Sequence, residues 1–468
     1  MDSSKKQDNK EHKKSRRIFN FPVKIKDTFK KAVPKHFHFK EKEDKEQRKN
    51  SKISFFQPNK SVRIAKKLRA AGRHPLIVGI DISDHSIEIL QLDTDGKVQL
   101  FARSVLEKGI VESAEIKDAE RLGKIFQSTI KEAGLDVLMA KKRSRIKGLF
   151  SFPESKAFIR EFQFEDKENL PEKLRDKIKE NIPVAFEELY WDYIELEDQS
   201  GGVRVLVVAV PEKTVDEYLY FFWVQGVDPV VFDIEAASVS RALLPLKEQQ
   251  NGTAIIDIGA KTSIINIFSP KKELSLSVSV FYAGNYFSQK IAEKMGIDEE
   301  EAEIMKQKLG FEKKPVSSIL QECSALLIGE IKNALKYNQE KSGFKTDKVI
   351  LTGGSALLPG LEDYFQKNLE EKVEIGNSLA NIRPAAFFSE KKKAMLYANV
   401  IGLAIRGLGK DFIESGINLL SDAIKKQEKI LQHERQRFVL YIILYFFVII
   451  MALLGMAFTF YRVGLIKF

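Results

Sequence analysis

A chain of 468 residues with 44% hydrophobic content can bury a large core, and it predicts several domains rather than one. The formal charge of +11 is uneven: residues 1–73 hold 24 Lys and Arg against 8 Asp and Glu, a net of +16, which leaves −5 for residues 74–468. A single cysteine, Cys323, excludes an intramolecular disulfide framework and suits a reducing cytoplasm.

The basic balance therefore belongs to a tail, residues 1–73, rich in Lys, Ser, Gln and Asn with scattered Phe. It reads as disordered. Such a tail is attracted to anionic lipid headgroups, where each Lys or Arg contributes about 1 kcal/mol, with the Phe residues inserting shallowly. A merely solubilising tail is the plainer alternative. No nucleic acid is expected as partner, because no folded nucleic-acid module is visible. The first 20 residues lack an apolar core segment, so no signal peptide is expected.

After the tail, apolar strands alternate with helical stretches, which predicts α/β layers. Leu76–Gly79 feeds a first turn, and Ser86–Leu92 with Val98–Val105 continue one sheet. A helix follows at Ala119–Ala133, then strands at Gly148–Pro153 and Ala157–Phe164. Leu170–Ile182 is helical, Leu189–Leu196 and Arg204–Val210 form a strand pair, and Thr214–Gln225 is an amphipathic helix. Strand Val227–Asp233 and a helix from Glu235 return the chain to the first layer. Thr253–Phe268 is a second hairpin and Leu274–Phe281 its third strand, ahead of a helical region from Asn285 to Gly343. Within that region Glu299–Lys308 reads as a solvated acidic face. Glu330, Lys332 and Asn333 on the helix Leu320–Gln339 either pack in the core or reach a bound purine, for which Lys332 is the candidate ligand.

Near the end of the chain, Phe438–Tyr461 is a run of 24 uncharged residues that spans about 36 Å as a helix, enough to cross a bilayer. Lys425, Lys426, Lys429, Arg435 and Arg437 precede it, and only Arg462 and Lys467 follow. This bias predicts a single-pass anchor in the inner (cytoplasmic) membrane, with the body in the cytoplasm and residues 462–468 outside.

Three turns carry the chemistry: GIDISDHS at Gly79–Ser86, IIDIGAKT at Ile255–Thr262 and VILTGGSALLPG at Val349–Gly360. Each follows a buried apolar run, so each lies at a strand end where backbone N–H groups can face phosphate. One Asp-apolar-Gly turn is common; an ordered set with about 175 and 95 residues between members is far more specific. Asp81 and Asp257 are placed to hold Mg²⁺ through water. Ser83 and the turn backbone face the phosphates, Gly259 allows close approach and Thr262 offers a hydroxyl. Gly353 and Gly354 leave no side chain where the adenosine of ATP must lie.

This ordered set resembles the actin/Hsp70/sugar-kinase ATPase superfamily, and more closely the PilM family of type IV pilus assembly proteins, itself similar to the FtsA family of cell division. The resemblance covers about residues 76–410 and rests on VGIDIS, SFPESKAFIREF (Ser151–Phe162), ENIPVAFEELYWDYIEL (Glu180–Leu196), DIEAASVSRALL (Asp233–Leu244), IIDIGAKTSIINIF, VILTGGSALLPGLEDYF and ANVIGLAIRG (Ala398–Gly407). It implies an α/β, actin-like (Hsp70-like) fold of two duplicated subdomains with a small inserted α+β domain, followed by the membrane helix. The segments are then 74–162 with 227–250, the insert 163–226, 251–410, the peptide and basic linker 411–437, and the anchor 438–461. By the same resemblance Glu235, after the insert, faces the γ-phosphate and orients water or Mg²⁺; a carboxylate satisfied at a helix start is the alternative.

Ile417, Asn418, Leu419 and Leu420 resemble the INLL peptide with which PilN-like proteins dock on PilM-like ones. The resemblance thus implies a fusion to the peptide and anchor of such a partner, docking in cis or on a neighbouring chain, with the last apolar stripe of the body as the alternative. It also implies assembly with PilN/PilO-like and PilC-like proteins and with cytoplasmic motor ATPases. The first turn departs from the family: Ser83 adds a side chain, and an Asp84 carboxylate facing the site would repel phosphate. At most slow ATP turnover is expected. An active ATPase or kinase of the superfamily, and an FtsA-like membrane-tethered filament, are the other functional readings.

Overall fold

The computed structural model describes residues 76–137, 146–196, 202–247, 249–383 and 394–420, together with Gly455. The basic tail, the linker beyond Leu420, the anchor Phe438–Tyr461 apart from Gly455, and residues 462–468 fall outside them.

Two five-stranded sheets carry the fold. The first is built from β1 (Ile77–Ile82), β2 (Ser86–Leu92), β3 (Val98–Val105), β6 (Ile146–Phe152) and β10 (Val227–Ile234), in the order β10-β6-β1-β2-β3. The second uses β11 (Gly252–Ile258), β12 (Ser263–Phe268), β13 (Leu274–Val280), β14 (Thr346–Thr352) and β15 (Lys372–Ile375), in the order β13-β12-β11-β14-β15. Written in the same direction, the two orders correspond strand for strand. In both, the first three strands in chain order are antiparallel and the last two are parallel additions. The duplication seen in sequence only as a repeated Asp turn is thus a duplicated sheet. β2 and β12 are buried at every position, as expected of strands covered on both faces.

Between β1 and β10 the chain also forms a two-residue ribbon, β4 (Val111–Glu112) with β5 (Glu115–Ile116), and helix α1 (Ala119–Glu132), capped by the Asp118 carboxylate accepting the Arg121 N–H at 2.9 Å. Strands β7 (Phe158–Phe164), β8 (Leu189–Leu196) and β9 (Val203–Pro211) form a separate three-stranded sheet in the order β7-β9-β8. Helix α2 (Leu170–Asn181) covers it, burying Leu170, Leu174 and Ile178 against Val205, Val207 and Ala209.

The insert predicted at 163–226 is therefore shifted. Phe158 pairs with Ala209, so all of β7 belongs to the insert. Helix α3 (Glu212–Val224) belongs to the main body, with Tyr218 and Phe222 packed against Phe150 and Phe232 of the first sheet. Aromatic contacts decide this: the rings of Tyr218 and Phe222 lie 4.7 and 5.4 Å from that of Phe150.

Helix α4 (Glu235–Leu243) follows β10 directly. In the second half, α5 (Gly284–Met295), α6 (Glu299–Leu309) and the long α7 (Val316–Ser342) lead to β14, and α8 (Leu361–Asn368) to β15. Helix α9 (Ala398–Arg406), the last one named among the described residues, is expected from sequence within the second subdomain, 251–410; it packs on the first. Two glycines permit this. A Cβ on Gly79 of β1 would meet the Val400 carbonyl oxygen at 2.6 Å, and one on Gly402 would meet that of Ser238 on α4 at 1.6 Å. α9 is wedged between strand and helix by their absence.

Among the described residues no helix is long and apolar enough to cross a membrane.

Candidate functional site

The ends of β1 and β11 face one another. Asp81 and Asp257 are the second-last residues of β1 and β11, and each carboxyl is pushed up to about 6, first by burial. For Asp257 the second cause is the negative charge of Asp81 itself. Glu235 opens α4 beside them and is raised well above the usual carboxylate range, by burial and then by Asp81, Glu154 and Asp257. The structure thus brings together the three carboxylates predicted from sequence.

It adds three residues that sequence reading passed over. Glu154, in the turn after β6, is buried and accepts the Ala236 N–H at the start of α4, so it braces the helix that carries Glu235. Burial pushes its carboxyl to about 7. Glu88 is 3% exposed on β2 and pairs with Arg103 at 2.6 Å, yet burial and the Asp81 charge push it to about 8. Asn399 on α9 accepts the Ser151 hydroxyl at 2.9 Å and also that of Ser238. The one local signal for Glu88 is a carboxylate inside an otherwise buried strand, SIEILQL.

Asn399 lies close enough to favour a charged Asp81 but makes no well-aligned hydrogen bond to it. Among the described residues, Asp81 Oδ1 and Asn399 Nδ2 are both buried with no hydrogen-bond partner.

The glycine turn closes this site from the side. Gly353 has φ +87°, and a Cβ there would stand 2.3 Å from Asp257 Oδ1, so only glycine fits. At Gly354 a Cβ would meet nothing within 4 Å, which leaves open space at the turn. The Ser355 hydroxyl ties this turn to the Gly259 carbonyl at 3.2 Å, and the Gly284 N–H reaches the same oxygen at 3.0 Å. Within the second turn Gly259 N–H bonds the Thr262 carbonyl at 3.1 Å, and Thr262 itself is partly exposed.

Three expectations change. Ser83 does not present its hydroxyl or turn backbone to a ligand: its Oγ accepts the N–H groups of His85 at 3.2 Å and Ser86 at 3.1 Å, while its own N–H bonds the Ser86 carbonyl at 2.9 Å. A hydroxyl at this position competes with any phosphate for the same donors. Lys332 is solvent-exposed on α7, off the buried stripe that runs through Leu327, Ile328, Ile331 and Leu335, and no described hydrogen bond joins it to the turns. The acidic helix α6 is not wholly solvated: Lys306 is 3% exposed, and its Nζ donates to Gly284 O and Ser288 Oγ, both at 2.8 Å, and to Glu303 at 2.6 Å. Burial pulls its pKa down. Lys306 thus braces the start of α5, which holds the second turn.

Among the described residues, no group of three or more Asp, Glu, His or Cys side chains stands ready to hold a metal directly. The donor set still suits a hydrated cation: Asp257 and Glu235 are raised by burial and by the charge of Asp81, and such buried carboxylates are stabilised by positive charge. The phosphate side fits less well, because the Ser83 turn satisfies its own donors.

These shifts predict a pH dependence. The folded pKa of Asp257, about 6, lies above its ordinary 3.8, so the group favours folding fully below about pH 4 and withdraws that contribution as pH rises to about 6. Asp257→Asn is expected to raise the ligand-free melting midpoint at pH 7.5, an effect of about 1–3 kcal/mol, and to change nothing at pH 4. A variant less stable than wild type at pH 7.5 would show that the Asp257 charge is not destabilising.

The peptide Ile417–Leu420 is docked on the body. Ile417, Asn418, Leu419 and Leu420 are 2%, 1%, 0% and 1% exposed, in the core of the first half. They lie along β10, the edge strand of the first sheet: Leu419 N–H bonds the Phe232 carbonyl at 2.9 Å. Asn418 Oδ1 accepts the Phe232 N–H at 3.1 Å, and Nδ2 donates to Val230 O at 3.1 Å and Ile413 O at 3.2 Å. The backbone N–H of Asn418 reaches Asp192 of the insert at 2.8 Å. Arg406, 4% exposed, donates to the carbonyls of Ile417 at 2.6 Å and Phe412 at 2.8 Å and pairs with buried Asp233 at 2.7 Å. Although burial opposes the charge, Arg241 and Arg406 hold Asp233 below the usual carboxylate range.

Comparison with solved structures places the chain alongside a PilM-PilN type IV pilus biogenesis complex, with a TM-score of 0.62 at 18% identity, covering 71% of this chain and 98% of that one. The ethanolamine utilization protein EutJ from Carboxydothermus hydrogenoformans matches at a TM-score of 0.46 and 15% identity, covering 74% of this chain and 98% of that one. Comparison with curated proteins gives no match. The family model described as type IV pilus assembly protein PilM matches residues 79–408. With the duplicated sheet, the facing aspartates and the glycine turn already in place, this match across most of the chain shows that it belongs to the PilM family of type IV pilus assembly proteins, with the fold of that PilM-PilN complex.

Proposed function

We propose that this protein is an inner-membrane-anchored, actin-like scaffold of a type IV pilus machine, which carries in its own chain the docking peptide that a PilN-like partner otherwise supplies. The observation that supports this reading most is the burial of Ile417–Leu420 along the free edge of β10, with Asn418 using both ends of its amide. The predicted membrane helix begins 18 residues after Leu420. Adding a segment to a sheet edge is an established mode of peptide recognition, and a short tether supplies an effective concentration in the mM range. The body would then sit in the cytoplasm against the membrane and couple motor ATPases to PilN/PilO-like and PilC-like membrane proteins. ATP with Mg²⁺ would act as a structural or switching ligand: Asp81 and Asp257 hold the hydrated ion, Gly353 and Gly354 make room for the nucleoside, and Glu235 orients water if turnover occurs.

Asn418→Ala tests the docking. It leaves the Phe232 N–H and the Val230 carbonyl buried without partners, each costing about 1–3 kcal/mol. Amide exchange at Phe232 and Leu419 is expected to accelerate on the order of 100-fold. A synthetic peptide spanning residues 414–424 should bind the variant and not the wild-type chain, whose groove is filled. Unchanged exchange in the variant would remove the docking reading. Membrane fractionation of cells expressing the full chain tests the anchor; recovery in the soluble fraction would overturn it.

A further inference from the structure

The first turn already holds an anion of the protein's own. Asp84 Oδ2 accepts the Ser113 N–H at 2.8 Å and pairs with Lys261 Nζ at 2.7 Å, while Oδ1 accepts the Ala114 N–H at 3.1 Å. Ser113 and Ala114 are the two central residues of the ribbon β4–β5, with φ of 51° and 53°. Two positive φ values in a two-residue hairpin make a turn that Asn-Gly adopts readily and Ser-Ala does not. Successive N–H groups exposed in this way form a concave anion site, and a charged acceptor strengthens each bond. The Asp84 carboxylate fills that site.

Support of the hairpin alone would account for the two backbone donors. It does not account for the third, an ammonium that arrives from the turn between β11 and β12 in the opposite half. Lys261 is 41% exposed and Asp84 15%, so the pair lies near the surface and can open. The same carboxylate stands beside the turn whose N–H groups Ser83 has satisfied.

We propose that Asp84 is a built-in stand-in for phosphate. Its carboxylate occupies the anion site formed by the Ser113–Ala114 backbone and Lys261 and holds the two turns together, so that the phosphates of a nucleoside triphosphate engage Lys261 only by displacing Asp84. This rests on the nucleotide-binding reading given above and adds a competing ligand within the chain. The ligand-free protein is latched, and the phosphates must be strong enough to unlatch it.

The test uses the full chain in detergent, with MgATP, inorganic pyrophosphate and adenosine titrated against wild type, Asp84→Asn and Lys261→Met. Asp84→Asn is expected to tighten MgATP and pyrophosphate binding about tenfold and to leave adenosine unchanged; Lys261→Met should weaken both phosphate ligands. Because Asp84 also supports the hairpin, the substitution is repeated together with Ser113→Asn and Ala114→Gly, which let the turn form unaided, and melting confirms the fold. Hydrogen exchange at 111–116 in wild type should accelerate on adding pyrophosphate, as Asp84 leaves. Phosphate affinity unchanged or weaker in both Asp84 variants overturns the proposal, as does Lys261→Met tightening binding as much as Asp84→Asn. If MgATP binds no better than pyrophosphate and adenosine does not bind, the nucleotide reading fails while the latch stands. If no phosphate ligand binds any variant, both fall.

Discussion

Replacing Gly402 with valine is expected to prevent the first half of the molecule from folding. The position has no room: a Cβ would lie 1.6 Å from the Ser238 carbonyl oxygen, a backbone atom that cannot swing aside. To admit the side chain, α9 and α4 must separate by about 2 Å, which opens the contact on which Val400, Ile401 and Ala404 are buried and exceeds the usual 1–3 kcal/mol of overpacking. The measurement is limited proteolysis with far-UV circular dichroism of the full chain in detergent. A variant melting within 2 °C of wild type, about what a surface substitution does, would mean that the helices do not cross here. Gly79→Ala strikes the Val400 carbonyl at 2.6 Å from the other side and should show a smaller loss of the same kind.

The second large effect is expected at Arg406. Its guanidinium joins Asp233 to the carbonyls of Phe412 and Ile417 and is itself buried. Arg406→Ala leaves the Asp233 carboxylate at 0% exposure with Arg241 as its remaining ion pair. Removing one member of a buried pair costs about 3–5 kcal/mol, so the melting midpoint of the first half should fall on the order of 10 °C. The peptide Ile417–Leu420 should lose protection with it. Lysine at 406 is expected not to rescue, because one ammonium cannot reproduce a planar fork aimed at a carboxylate and two carbonyls. Pairing Arg406→Met with Asp233→Asn should cost less than Arg406→Ala alone. A fall under 1 °C in the alanine variant would show that the contact is dispensable.

Much of this molecule was legible from local pattern. The apolar runs that end in Asp81 and Asp257 became the central strands β1 and β11, and the strands Ser86–Leu92, Val98–Val105 and Leu189–Leu196 appeared with the predicted bounds. Burial periodicity is a property of a few neighbouring residues, so a sequence displays it. The order of the three turns was legible for the same reason, whereas the facing of the two aspartates is a product of the fold.

Other features depended on partners far away in the chain. Glu154 reads as one polar residue in a turn until it meets Ala236 N–H, 82 residues on. Ser83 is a different case: it reads as a phosphate-facing hydroxyl, but its Oγ accepts the N–H groups of His85 and Ser86, two and three residues on, within its own turn. Lys332, read as either a core residue or a purine ligand, lies on the exposed side of α7, off its buried stripe.

By itself, then, the sequence determined which segments are strands and helices, where the chain turns, and which carboxylates stand at strand ends, because these follow from side-chain periodicity and backbone freedom over a few residues. Only the tertiary structure decided that α9 crosses to the first half through Gly79 and Gly402, that the last described peptide seals the edge of β10, and that Asp84 meets Lys261 across the two turns. Each of these needs close approach between segments distant in sequence, and steric fit and the pairing of buried charge, which no local pattern encodes, select which segments approach.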